Sequence, residues 1–123
     1  MPVLSTVLSM SSGGSTAKVA TATTQAFRAP ELFKGTRKSA KTDIYAFGVM
    51  MWEFLTCQVP FAGVDHDLVR DQVLLGQRPC IPSPRPEGFP PDYFKLMEEC
   101  WSEDDTKRPT AELAHQRLVR MDP

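Results

Sequence analysis

The sequence predicts an all-α domain. Four segments carry apolar residues at helical spacing behind recognisable start signals, and no run alternates apolar and polar residues over five positions. Its core is set by Thr42 to Thr56, TDIYAFGVMMWEFLT, where apolar residues go almost all the way round a helical wheel. A helix without a polar face belongs in the centre of a larger body.

Residues 9–24, SMSSGGSTAKVATATT, are rich in Ser, Thr, Ala and Gly and have no apolar period with which to dock one face, so a mobile loop is expected there. Gly13 and Gly14 lack the Gly-Lys-Ser/Thr ending and the preceding strand of a phosphate-cradling loop, which leaves flexibility as their role. The central helix, 42–56, can be capped by Ser39 or Thr42. Asp43 in its first turn suits the positive end of the helix dipole, and the helix stops near Cys57, before Pro60.

A second helix, 65–75, places Leu68, Val69, Gln72 and Val73 on one side and Asp67, Arg70 and Asp71 outside, and closes at Gly76. From Gln77 to Pro91 the prolines at 79, 82, 84, 86, 90 and 91 exclude helix interior and sheet centre, leaving an ordered, extended connection. The third helix, 92–101, carries Phe94, Met97, Cys100 and Trp101 at helical spacing. The last, 110–121, starts at Thr110 after Pro109, with Glu112 in its first turn and Leu113, Leu118 and Met121 apolar.

At 123 residues the chain holds one core at most. A composition of 41% hydrophobic and 24% charged residues with net charge -1 is that of a globular protein, and no stretch approaches the roughly 20 apolar residues that span a bilayer. No stripe of Lys and Arg points to nucleic acid; the cluster Lys34, Arg37, Lys38 and Lys41 reads as a solvated loop before a helix. Cys57, Cys80 and Cys100 are odd in number and show no C-x-x-C spacing, which suggests neither disulfides nor zinc and fits a reducing compartment. The first ten residues have neither a basic leader nor a long apolar run, so the expected location is intracellular and cytoplasmic.

Three blocks then appear in order: Phe27-Arg28-Ala29-Pro30-Glu31, with Thr24 ahead of it; Asp43-Ile44-Tyr45-Ala46-Phe47-Gly48, running on through Trp52-Glu53-Phe54-Leu55-Thr56 to Pro60-Phe61; and Cys100-Trp101, Asp104 and Arg108-Pro109-Thr110. Together they resemble the protein kinase family from the end of the activation segment to the last helix, over residues 4–121. The Cys100-Trp101 block and the Trp52 helix look like tyrosine kinases and the tyrosine-kinase-like serine/threonine kinases, and Thr24 tilts towards the latter. The resemblance implies a truncated helical C-terminal lobe over 27–123, preceded by an irregular activation-loop-like segment, 1–26.

In that implied fold Glu31 and Arg108 meet as a buried ion pair, a task suited to the planar fork of Arg. Asp43 corresponds to the central-helix aspartate that anchors the catalytic loop; its plainer role is a first-turn acid on the helix dipole. Thr24 and Phe27 would line a substrate pocket. Ser11, Ser12, Ser15, Thr16, Thr21 and Thr23, with Thr24, are candidate phosphorylation sites that could pair with Arg28, Arg37 or Lys38.

A complete family member uses Mg-ATP, held by a Gly-rich loop, a strand lysine, a catalytic-loop aspartate and asparagine, and the metal-binding aspartate of Asp-Phe-Gly. None of these occurs in the 123 residues, and Ser5-Thr6-Val7 stands at the place of Asp-Phe-Gly. No catalytic, cofactor-binding or metal residue is therefore expected in this chain. Three functional readings stay open: a fragment of an ATP-dependent serine/threonine or tyrosine kinase, inactive alone; a pseudokinase-like module binding another kinase, a scaffold or a peptide; and an incomplete gene model of an active enzyme. Truncation should also leave bare a face of the central helix carrying some of Ile44, Phe47, Met51 and Phe54.

Overall fold

The structure, a computed structural model, describes residues 25–121. In chain order the helices are α1 (Pro30–Phe33), α2 (Ala40–Thr56), α3 (His66–Leu74), α4 (Pro91–Cys100) and α5 (Ala111–Met121), with a 3₁₀ turn at Asp105–Lys107; the described residues contain no strand. Thr24 and all the candidate phosphorylation sites lie outside the described residues.

α2 begins two residues ahead of the expected start because Ser39 is the cap and Thr42 its reciprocal partner. Ser39 Oγ accepts from the Lys41 and Thr42 amides at 3.2 and 3.4 Å, while the Ser39 amide donates to Thr42 Oγ1 at 2.9 Å. Both side chains thus satisfy amides that the first turn would leave unpaired. The helix ends on Cys57, a non-glycine residue in the left-handed region (φ 55), whose N–H reaches Glu53 O at 2.7 Å.

α3 is capped by Asp65, which accepts from the Asp67 amide at 3.2 Å, and the chain leaves it through Gly76 at φ 93. Its buried stripe is narrower than the sequence suggests. Val69 and Val73 point into the core, while Leu68, about 100° round the helix from Val69, is 49% exposed. The same correction applies to α5. Thr110 Oγ1 accepts from the Leu113 amide at 3.1 Å, and Ala114 and Leu118 face inward, leaving Leu113 on the wet side.

The core forms where α4 crosses α2. A Cβ added at Gly48 would lie 2.8 Å from Cys100 Cβ and 3.1 Å from Met97 O, so the two backbones approach as closely as they do only because residue 48 has no side chain. Tyr93 on α4 donates its hydroxyl to Met51 O at 2.7 Å, and burial in the contact pushes the Cys100 thiol up to about 12. Trp52 Nε1 donates to Cys80 O at 2.8 Å and so ties the proline-rich connection to the central helix.

The bare face expected on α2 is not found: Ile44, Phe47 and Met51 are buried and Phe54 is half-buried. Phe27, Leu32, Phe33, Phe61, Val64 and Ile81 pack against the same core and help wrap it. α5 docks on α4 through Arg117, whose Nη2 lies 2.9 Å from Asp92 Oδ1 and whose Nη1 lies 2.8 Å from Glu99 Oε1.

Candidate functional site

Pro30 opens α1 with its fixed φ at a position needing no N–H donor, and this places Glu31 in the first turn, facing the segment ahead of α5. Arg108 arrives there from the end of the 3₁₀ turn, which Asp104 caps by accepting from the Thr106 amide at 3.0 Å. Arg108 Nη1 donates to Glu31 Oε2 at 2.6 Å and Nη2 donates to Glu31 Oε1 at 2.9 Å, a two-point contact across 77 residues of chain.

Two further Arg108 donors are also used. Nε reaches Ser102 O at 3.0 Å and Nη1 also reaches Lys41 O at 3.1 Å, while Lys41 Nζ returns a bond to Arg108 O at 2.8 Å. Arg108 is 2% exposed, so its charge has no solvent to fall back on. Beside it, the Glu31 carboxyl is held below its ordinary value of 4.5, chiefly by the Arg108 hydrogen bonds and against the opposing effect of burial.

Tyr45 on α2 lies between two guanidinium groups, with Arg108 at 5.2 Å and Arg78 at 5.1 Å from its ring centroid. Its hydroxyl is buried without a hydrogen-bond partner among the described residues, and burial pushes its pKa up to about 12. Arg78 in turn donates from Nε to Trp101 O at 2.8 Å and from Nη1 to Gln77 O at 2.8 Å. The ring of Tyr45 therefore joins the start of the proline-rich connection to the Glu31 and Arg108 pair.

The structure thus brings Glu31 and Arg108 together and leaves Asp43 apart from them. Asp43 is exposed in the first turn of α2, its amide bonded to Ser39 O at 3.1 Å, and its side chain makes no hydrogen bond among the described residues. Phe27 is half-buried against the core. Lys41, Tyr45 and Arg78 were not legible as site residues: Lys41 reads as one of a solvated basic cluster and Tyr45 as one apolar position among many, and both depend on contacts distant in sequence. Among the described residues no group of three or more His, Cys, Asp or Glu side chains could hold a metal ion.

A helical body around a largely apolar central helix, with its Ala-Pro-Glu turn fastened by a buried Glu–Arg pair to the segment ahead of the last helix, defines the C-terminal lobe of a protein kinase-like fold. Residues 4–118 match the family model described as protein tyrosine and serine/threonine kinase, and the chain belongs to that family.

It is 42% identical over 89 residues to a serine/threonine-protein kinase/receptor of Acanthamoeba polyphaga mimivirus, a match covering 72% of this chain and 5% of that protein. With the serine/threonine-protein kinase roco5 of Dictyostelium discoideum it shares 38% identity over 98 residues, 75% of this chain and 4% of that protein. A LIM domain-containing serine/threonine-protein kinase of the same organism is 34% identical over 87 residues, 71% of this chain and 13% of that protein. The chain therefore spans a small fraction of the length of the relatives it matches.

Proposed function

We propose that these residues are the C-terminal-lobe part of an ATP-dependent serine/threonine kinase of the tyrosine-kinase-like group, and that they transfer no phosphate by themselves. The Glu31 and Arg108 clamp carries the reading, because it sets the Ala-Pro-Glu turn, and with it the end of the activation segment, rigidly on the helical body. In this reading the lobe positions a protein substrate, and Asp43 anchors a catalytic loop supplied by other residues. The family resemblance and the serine/threonine kinase relatives support it.

The described residues do not fit Mg-ATP. Asp43 is a single exposed carboxylate rather than one of a ligand set, and the sequence offers neither a phosphate-cradling glycine loop nor a strand lysine. Positioning and metal electrostatics supply nearly all of phosphoryl-transfer catalysis, so their absence leaves the isolated chain inert. Calorimetric titration of the 123-residue chain with Mg-ATP should show no binding, and micromolar affinity would overturn this proposal.

A second reading, a pseudokinase-like module engaging another kinase or a scaffold, is favoured by Ser5-Thr6-Val7 at the place of Asp-Phe-Gly. A serine hydroxyl carries no charge with which to offset dehydration of Mg²⁺. Coding sequence upstream of Met1 discriminates the two: a strand lysine and a His-Arg-Asp motif there favour the enzyme, and their absence favours the binding module.

A further inference from the structure

Away from the clamp, a shallow cleft of about 420 Å³ is lined by Arg85 from the proline-rich connection, by Pro91, Lys95, Glu98 and Glu99 on α4, and by Ser102 and Lys107 beyond it. Its charge is unbalanced. Glu99 is taken by Arg117 at 2.8 Å, while Arg85, Lys95 and Lys107 make no ion pair among the described residues. Three cations therefore face one uncommitted carboxylate, Glu98.

Part of the cleft wall is restrained. The Arg85 guanidinium sits 4.4 Å from the centroid of the Phe94 ring, which restrains it while leaving its N–H edge available. Ser102 is held on both sides, its amide donating to Glu99 O at 3.2 Å and its carbonyl accepting from Arg108 Nε at 3.0 Å, and its hydroxyl makes no bond among the described residues. Lys107 is set by the 3₁₀ turn, its amide on Asp104 O at 3.1 Å. A concave face with three unmatched cations and a spare hydroxyl favours an anion of high charge with several acceptor oxygens.

We propose that this cleft binds a phosphate dianion, as the free ion or as a monoester group. A carboxylate brings one charge and two oxygens, whereas a phosphate monoester brings about -1.5 to -2 and three acceptor oxygens, enough to engage Arg85, both lysines and Ser102 together.

The test is amide NMR of the full chain at constant ionic strength, titrated with inorganic phosphate, with a phosphoserine peptide and with the same peptide unphosphorylated. Saturable shifts at Lys95, Ser102 and Lys107 are expected with the phosphorylated probes alone. Affinity should fall at least about tenfold in Lys95→Gln/Lys107→Gln, the loss of about 1.4 kcal/mol that one charge-assisted contact can supply. Equal affinity for phosphate and phosphopeptide identifies the free ion as the ligand, and preference for the phosphopeptide identifies a protein-borne group. Arg85→Gln, on a different segment, provides the same readout if the double variant loses its dispersed spectrum. Absence of saturable shifts up to about 20 mM of either probe, or equal binding by wild type and a folded variant, overturns the proposal.

Discussion

Arg108 and Arg117 each grip carboxylates contributed by distant stretches of chain, yet they do so in different solvents. The Arg108 side chain is 0% exposed and its Glu31 partner 19%, whereas Arg117 is 20% exposed and its partners Asp92 and Glu99 are 47% and 35% exposed. Both make short contacts, so length does not rank them. What separates them is the state that follows loss of a partner: Glu31 would be left partly buried opposite a hole, while Asp92 and Glu99 would be taken up by water. The importance of an ion pair is thus set less by the attraction it gains than by the desolvation it has already incurred.

The largest expected effect follows directly. Arg108→Ala and Glu31→Gln should each lower stability by about 3 to 5 kcal/mol, and the double variant by much less than their sum, in a denaturant series. Additive losses would mean that the pair acts as two independent charges and would collapse the contrast with Arg117.

The acid limb of stability sharpens it. Because the folded-state pKa of Glu31 lies below 4.5, the unfolded chain binds its proton first; the contribution of this group is complete above pH 4.5 and is lost as pH falls below it. Asp104, held low by its Thr106 bonds, acts in the same direction, and Glu53, raised by burial, opposes it. The difference between the wild-type and Glu31→Gln profiles isolates the clamp. It should narrow as the pH falls below 4.5 and stay flat above it, up to neutrality.

Arg117→Ala should cost about 1 kcal/mol, and that cost should shrink in molar salt, where exposed charges are screened beyond about 3 Å. The cost of Arg108→Ala should be nearly indifferent to salt. Least of all, Tyr45→Phe should change stability by no more than about 0.5 kcal/mol, because the hydroxyl it removes is buried and unpaired while the ring between Arg78 and Arg108 is kept. A thermal melt of each variant decides both.

Much of this was legible in the sequence because helix periodicity and capping are local. The largely apolar stretch from Ile44 to Leu55 marks the central helix without outside information, and Asp65, Gly76 and Thr110 mark ends and starts. Ser39 and Thr42 were both readable as caps, but not that they cap reciprocally, which moves the helix start to Ala40. The stripes on α3 and α5 came out too wide, since a helical wheel counts Leu68 and Leu113 as apolar and only packing decides which apolar residues are covered.

The roles of Gly48, Tyr45 and Arg78 were not readable for a different reason. Each is defined by a partner on another element, at residues 97–108, and nothing in its own neighbourhood marks it.

The sequence separation of 77 between Glu31 and Arg108 also carries a kinetic meaning. Turns and helices close over a few residues, and the contact of α2 with α4 spans about half the chain, whereas the clamp joins nearly its two described ends. Closing so long a loop is costly before other contacts hold it, so the pair is expected to form late, and Glu31→Gln should give a φ-value near 0 in folding and unfolding kinetics. An interaction absent from the folding transition state acts as a latch on the way out: its strength is spent almost wholly on slowing unfolding, and it leaves the speed of assembly nearly untouched.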